Sequence, residues 1–478
     1  MAQLTPTKLS PIKVVIYDVP TQKNLTQIAP EPEKGFYEIS DVSSFEYFES
    51  IYEPFITARL TLLDSTGVLE DAFANKCGIR KFCAVEVILA DPRADENTRK
   101  RSNGEEVKTF NFVGQNCFYI QRIVEQKVKG KKQTYTLELL NKDALICISK
   151  VVSRKWPPGE NSTNIEWNKI IDDLLTEEMK TTKEKNVTKD KTKNVGVYPA
   201  LKYSPLKVIN DACSKAIPLV QSGGNKVSGE SAKEKGSIPT EVKKDFAGYA
   251  FFETYDAFNY LSLDGLVNIS ATGVTIDQFH SFKTSVANSS KSTPDEESQV
   301  IISYKFYDQD KTSSSIEDVL SGKTGNRTIN YFNLTNRKFE RVVNEYEKDK
   351  CEVVPFEDGF QIQINKITTK YQVEYFNTCD KKELESAIQN DSITTWNYQG
   401  NLEDIRSKTS TVRVPGNLAL SAGDKVYLGF LKIQGVGNRD NELSDKYSGI
   451  YVITELAHRL EGVNKLYTDL SVCKLKDK

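Results

Sequence analysis

The residues that could do chemistry are few and poorly arranged for it. The chain has two histidines, His280 and His458, and neither lies in an HExxH or HxH pattern. A histidine-based metal site therefore has no ligand set. Ser321-Gly322-Lys323-Thr324 ends like a phosphate-binding loop. Glu317 stands where that loop needs its first glycine, and the segment before it is polar rather than a buried strand. Asp308-Gln309-Asp310-Lys311-Thr312 starts like a calcium loop, but Ser313 replaces the turn glycine and Val319 the closing glutamate. Gly435-Val436-Gly437 lacks a third glycine, and there is no GxSxG. The eight cysteines form no CxxC, and their apolar settings predict buried free thiols. With 66 acidic residues, no carboxylate pair stands out as a glycosidase pair. The expectation is a protein without a catalytic, cofactor or metal site.

Bulk properties exclude further classes. Sixty-four basic against 66 acidic residues give a net charge of −2, so no global basic field draws nucleic acid. No apolar run reaches the roughly 18 residues of a membrane helix, and residues 1–17 show no secretory apolar core. At 478 residues two to four domains are expected. The 22 Tyr, 22 Phe and plentiful Val, Ile and Thr favour strands.

The elements are organised around residues 45–70, FEYFESIYEPFITARLTLLDSTGVLE. Pro54 opens a strand in which Ile56, Ala58, Leu60 and Leu62 point one way. Phe55, Thr57, Arg59, Thr61 and Leu63 point the other. Asp64–Gly67 supplies a turn, and Val68–Phe73 a short helical turn. A shorter echo lies at 251–266, FFETYDAFNYLSLDGL. It aligns Phe48-Glu49 with Phe252-Glu253, Phe55 with Phe258, Thr61 with Leu261 and Leu63 with Leu263.

Residues 11–145 read as strand after strand, including a hairpin with arms Cys117–Val128 and Gln133–Leu140, a barrel or sandwich pattern. The middle is helical: Asp143–Val152, then Ile165–Met179 capped by Asn164, then a helix capped by Ser204 with Pro205 at its first position. Thr181–Lys193 reads as a charged linker, and 221–245 has almost no hydrophobic content. Residues 246–478 return to strands, with a hairpin over Ala247–Leu263, a short helix over Lys381–Gln389, a Gly423-Asp424 turn, and a Ser448-Gly449 turn feeding Ile450–Leu456. The domains are thus 1–150, 151–245 and 246–478, the last with insertions at about 275–400.

The order of YEPFITARLTLLDSTGVLE (52–70), WNKIIDDLL, SPLKVINDACSKA, AGYAFFETYDAFNYLSLDGL (247–266) and the closing LSAGDKVYLGF … SGIYVITELAH … YTDLSVCKL resembles the baseplate hub proteins of contractile-tailed, T-even-like bacteriophages. Those hubs are related to spike-hub proteins of type six secretion systems. The resemblance implies a mainly β (β+α) chain with two similar antiparallel, tail-tube-like β-barrels joined by the helical segment. It implies a homotrimeric ring that adapts a sixfold tail tube to a threefold central spike and meets baseplate wedge proteins. DNA would pass through the lumen without specific binding, along a neutral to acidic wall with the lysines of Lys180–Lys193 outside. No membrane insertion is implied; the place is the virion tail baseplate, assembled in a host cytoplasm. Leu60, Leu63, Leu261, Leu263, Gly423 and Gly449 are the positions expected to matter for structure and assembly. The alternatives are a tail-associated cell-wall hydrolase or a carbohydrate-binding adhesin. For the adhesin there are three Trp (Trp156, Trp167, Trp396), and two of them fall in the helical middle as core.

Overall fold

The computed structural model describes residues 11–18, 36–39, 41–65, 67, 79–90, 109–130, 132–158, 165–187, 191–192, 197–220, 241–242, 248–267, 279–284, 299–306, 327–333, 338–344, 353–355, 361–363, 368–371, 398–399, 401–402, 405–406, 408–432, 443–462 and 465–475. The predicted Val68–Phe73 turn, the Asn164 cap, the Lys381–Gln389 helix, Trp396 and residues 221–240 lie outside these.

Fourteen strands form one sheet. In chain order they are β1 (Ile12–Tyr17), β2 (Phe36–Ile39), β3 (Val42–Ser50), β4 (Thr57–Asp64), β5 (Ala84–Ala90), β6 (Thr109–Phe112), β7 (Phe118–Lys129), β8 (Lys132–Asn141), β9 (His280–Lys283), β10 (Ser303–Lys305), β11 (Thr409–Pro415), β12 (Lys425–Gly429), β13 (Gly449–Glu461) and β14 (Lys465–Lys474). Across the sheet the order is β10-β11-β14-β13-β3-β4-β8-β7-β5-β1-β2, with β6 on β5 and β9-β12 on β13. The predicted alternation in β4 holds: Ala58, Leu60 and Leu62 are buried, and Arg59 is exposed. Asp64 accepts the Gly67 N–H at 2.8 Å, the turn chemistry expected of Asp and Gly.

The mainly β, antiparallel character expected is present, but the two barrels are not confirmed as separate closed units. Among the described residues no strand set closes into a barrel, and both ends of the chain share the one sheet. The physical reason is β13. Its first residues pair with β12, and from Glu455 to Glu461 it runs antiparallel to Ser50–Ser44 on β3. A bulge after Ile453 sits where it changes neighbour on the way to β3. One apolar core lies under both ends, from Val14 and Leu60 to Leu428 and Val472.

The middle unit packs separately. Helix α1 (Lys142–Ser149) is capped by Asn141, whose side chain accepts the Ala144 N–H at 2.9 Å. Helix α2 (Trp167–Asp173) runs into a π-helical segment, Leu174–Met179, rather than continuing as one helix. Glu166 precedes it without a side-chain cap. The predicted stripe Ile165, Ile170, Ile171, Leu174 and Leu175 is buried with Trp156 and Trp167. Helix α3 (Pro205–Lys215) starts as expected, with Ser204 accepting the Lys207 N–H.

Two further expectations change. The echo hairpin, Tyr249–Glu253 with Ala257–Ser262, pairs with Glu184–Asn186 in its own three-stranded sheet and not with the large sheet. All five residues of its first strand are buried, because Tyr249 and Phe251 face the helices while Ala250 and Phe252 face a cluster with Val452 and Cys473. Its second strand ends at Ser262, so Leu263 opens a short helix, Leu263–Val267, and is no strand counterpart of Leu63. The charged linker is also partly structure. Glu184–Asn186 is a strand and Val187 is buried, so tertiary pairing overrides the local composition.

Candidate functional site

The strands that join the two ends present opposite faces one residue apart, as period two requires. On one face Leu466, Leu460, Phe45, Leu60 and Leu137 are cross-strand neighbours and all are buried. On the other face, a charged row crosses the same strands and two more. Arg413 (β11), Asp469 (β14), Arg459 (β13), Glu46 (β3), Arg59 (β4), Glu138 (β8) and Arg122 (β7) alternate in sign across seven adjacent strands.

The contacts are continuous. Arg413 Nε lies 2.5 Å and Arg459 Nε 2.8 Å from the Asp469 carboxylate. Arg459 Nη1 lies 2.9 Å from Glu46, and Arg59 lies 3.9 Å from Glu46 and 3.4 Å from Glu138. Arg122 Nε closes the row on Glu138 at 2.5 Å. The hydrogen bond from Arg122 holds the Glu138 carboxyl below the usual carboxylate range. Pairs at a solvated surface are screened and contribute little, so the row is not what holds the sheet together. Its effect is on the field: every arginine of the row faces a carboxylate of its own chain, and the signs alternate along the row.

Beside the row is an open groove of about 630 Å³, lined among others by Glu53, Tyr304, Lys305, Glu455, Arg459 and Asp469. Two carboxylates are buried, Glu49, which also lines the groove, and Glu253. Glu49 accepts from Tyr47 Oη (2.7 Å), Tyr255 N (2.8 Å) and Ala422 N (2.8 Å). Glu253 accepts from Ile56 N (3.1 Å), Asn141 Nδ2 (2.6 Å) and Lys183 Nζ (2.5 Å). Lys183 is thus largely buried.

The residues singled out from the sequence are dispersed. Leu60 is in the inner apolar row, while Leu63 is half-buried with its N–H on Asp41 O at 2.9 Å. Leu261 and Leu263 meet in the cluster that also holds Ala422, next to Gly423. Gly423 has φ +87°, and a Cβ there would lie 2.9 Å from the Phe252 ring. Gly449 starts β13 with φ +148°. The charged row escaped sequence reading apart from Arg59. Its only signal is a charge at an outward position of each strand, and the partners cannot be paired without the register.

His458 is buried, with Nδ1 3.0 Å from Thr468 Oγ1, and stacks on Tyr47. Cys83, Cys117, Cys147, Cys213 and Cys473 are buried free thiols. Among the described residues no cluster of His, Cys, Asp and Glu could hold a metal, and no helix is long and apolar enough to cross a membrane.

No family model matches the chain, and no curated protein matches it. Solved structures similar to it are phage tail and type VI secretion proteins. One is a tail protein from Neisseria meningitidis, at 9% identity over 92% of this chain and 94% of that one, with a TM-score of 0.43. Another is the 43 kDa tail protein of prophage MuSo2 from Shewanella oneidensis, at 10% identity over 97% and 98%, with a TM-score of 0.43. A third is a component of the type VI secretion system of E. coli, at 8% identity over 91% and 74%, with a TM-score of 0.37.

Proposed function

We propose that this chain is a structural hub of a contractile phage tail baseplate. Three copies form a ring in which the two strand-rich ends of each chain serve as two barrel-like units, six in all. The ring joins a sixfold tail tube to a threefold central spike, with wedge proteins outside, in the virion, after assembly in the host cytoplasm. Its role is structural and not enzymatic.

The observation that carries this reading is the charged row. A channel wall for DNA must be wettable yet must not grip phosphate, because each phosphate contact adds affinity through counterion release. A face that crosses both ends of the chain, with each arginine held by a carboxylate, meets that demand. The motif order at 52–70, 247–266 and 420–475 supports the same reading. Class averages of the purified protein by cryo-electron microscopy are expected to show a ring of six lobes around an open centre. A compact particle without a central channel would contradict it.

A further inference from the structure

Phe-Glu opens each copy of the sequence echo, and the structure makes the two glutamates partners. Glu49 is the last residue but one of β3, and Glu253 ends the first strand of the echo hairpin. Both are buried, 2% and 1% exposed. Glu49 accepts the N–H of Tyr255, in the turn that follows Glu253. Glu253 accepts the N–H of Ile56, in the turn that follows Glu49. Between the turns, Phe55 and Phe258 meet edge to face at 6.3 Å. The two copies therefore dock on each other with reciprocal caps, and the docking joins the large sheet to the middle unit.

We infer that Glu49 and Glu253 are positioning residues that latch the middle unit onto the large sheet, and that the latch loosens as Glu49 ionises. The inference does not depend on the hub reading.

The two halves of the latch differ in their counter-charges. Burial and the nearby Asp143 raise the Glu253 carboxyl, but the Lys183 ammonium at 2.5 Å works against them. Around Glu49, β3 contributes Tyr47, β13 contributes His458 stacked on Tyr47, the hairpin turn contributes Tyr255, Asp256 and Glu253, and the 421–424 turn contributes Asp424. None of these is a lysine or arginine; Lys305, Arg413 and Arg459 line the same groove as Glu49, and the two arginines pair with Asp469. Burial outweighs the hydrogen bonds from Tyr47, Ala422 and Tyr255, Asp424 adds to it, and the Glu49 carboxyl is pushed up to about 7.

The sign follows from linkage. A carboxyl released to water titrates at about 4.3, so the docked form holds its proton over a range in which the released form has lost it. Docking is then tightest below about 4.3 and weakens by roughly tenfold per pH unit until the pH passes about 7, where no further loss occurs.

Hydrogen–deuterium exchange of the intact chain between pH 5 and pH 8, corrected for intrinsic rates, tests this. Peptides covering 51–57 and 247–262 are expected to open more as pH rises, by roughly tenfold per unit up to about 7. Peptides from β14 should stay constant. Glu49→Gln should remove most of this pH dependence, and Glu253→Gln, whose carboxyl is also raised by burial but opposed by Lys183, should remove less of it; an equal or larger loss in Glu253→Gln overturns the assignment to Glu49. If Glu49→Gln does not fold, the wild-type series decides alone: local opening that ignores pH, or that β14 shares, overturns the proposal.

Discussion

Arg459 and Glu46 stand 413 positions apart in the chain and meet at 2.9 Å, directly opposite on β13 and β3. This contact lies where the two ends of the chain become one sheet. On either side of it the alternation continues, to Asp469 and Arg413 in one direction and to Arg59, Glu138 and Arg122 in the other. Behind it, on the inner face, Leu460 and Phe45 occupy the adjacent register pair. The seam is thus held by apolar burial on one face and carries charges of alternating sign on the other.

Removing the carboxylates should unmask the arginines. Glu46→Gln with Glu138→Gln frees Arg59, Arg122 and one side of Arg459. The double variant should lose about 1 kcal/mol or less, since these are surface pairs. Its binding to duplex DNA should rise and become salt-dependent, steepening by roughly one unit of log–log slope per freed arginine. Fluorescence anisotropy across a salt series checks it; wild-type protein with tight, salt-sensitive binding would contradict the neutral-wall reading.

Two glycines test the backbone. Gly449→Val forces a β-branched residue to φ +148° at the start of β13, while the nearest obstacle is the flexible end of Lys474. The cost is therefore backbone strain, about 1–3 kcal/mol. Gly423→Ala adds a clash with the Phe252 ring to a φ of +87°, so it should cost more than Gly449→Ala in thermal melts. Equal costs would show that the Phe252 contact yields freely.

Lys183→Ala should be strongly destabilising. It leaves Glu253, fully buried, without its cation, and breaking a buried pair from one side costs about 3–5 kcal/mol. Adding Glu253→Gln should restore much of that loss, because the uncompensated charge is gone. Chemical denaturation of the two single variants and the double variant measures the coupling; strict additivity would place the pair outside the protein's structural core.

Trypsin should spare Lys183 and Lys185 in the native protein. Lys183 is held by Glu253 and by the Thr254 carbonyl at 3.1 Å, and Lys185 lies 3.0 Å from Asp172. Early cleavage at either site, read by mass spectrometry, would mean that Glu184–Asn186 does not stay paired with Ala257–Asn259.

Local chemistry was legible in the sequence wherever it is local in the structure. The β4 alternation, the Asp64 and Gly423 turns, the Ser204-Pro205 helix start and the buried stripe from Ile165 to Leu175 are all set by residues within a few positions of each other. What depends on distant pairing was not legible. Thr181–Val187 looks like a solvated linker until Ala257–Asn259 pairs with it. The single sheet depends on β13 reaching β3, and nothing within β13 announces that neighbour. The echo shows both sides of this. Phe48-Glu49 and Phe252-Glu253 do correspond, as reciprocal caps, yet beyond Ser262 the second copy turns helical and the correspondence of Leu63 with Leu263 ends.

The proposed hub requires the chain to assemble by threes. Mass photometry of the purified protein at nanomolar concentration measures this directly. The account predicts a dominant species at three times the mass of the chain; a stable monomer, or a dimer that persists as concentration rises, would contradict it.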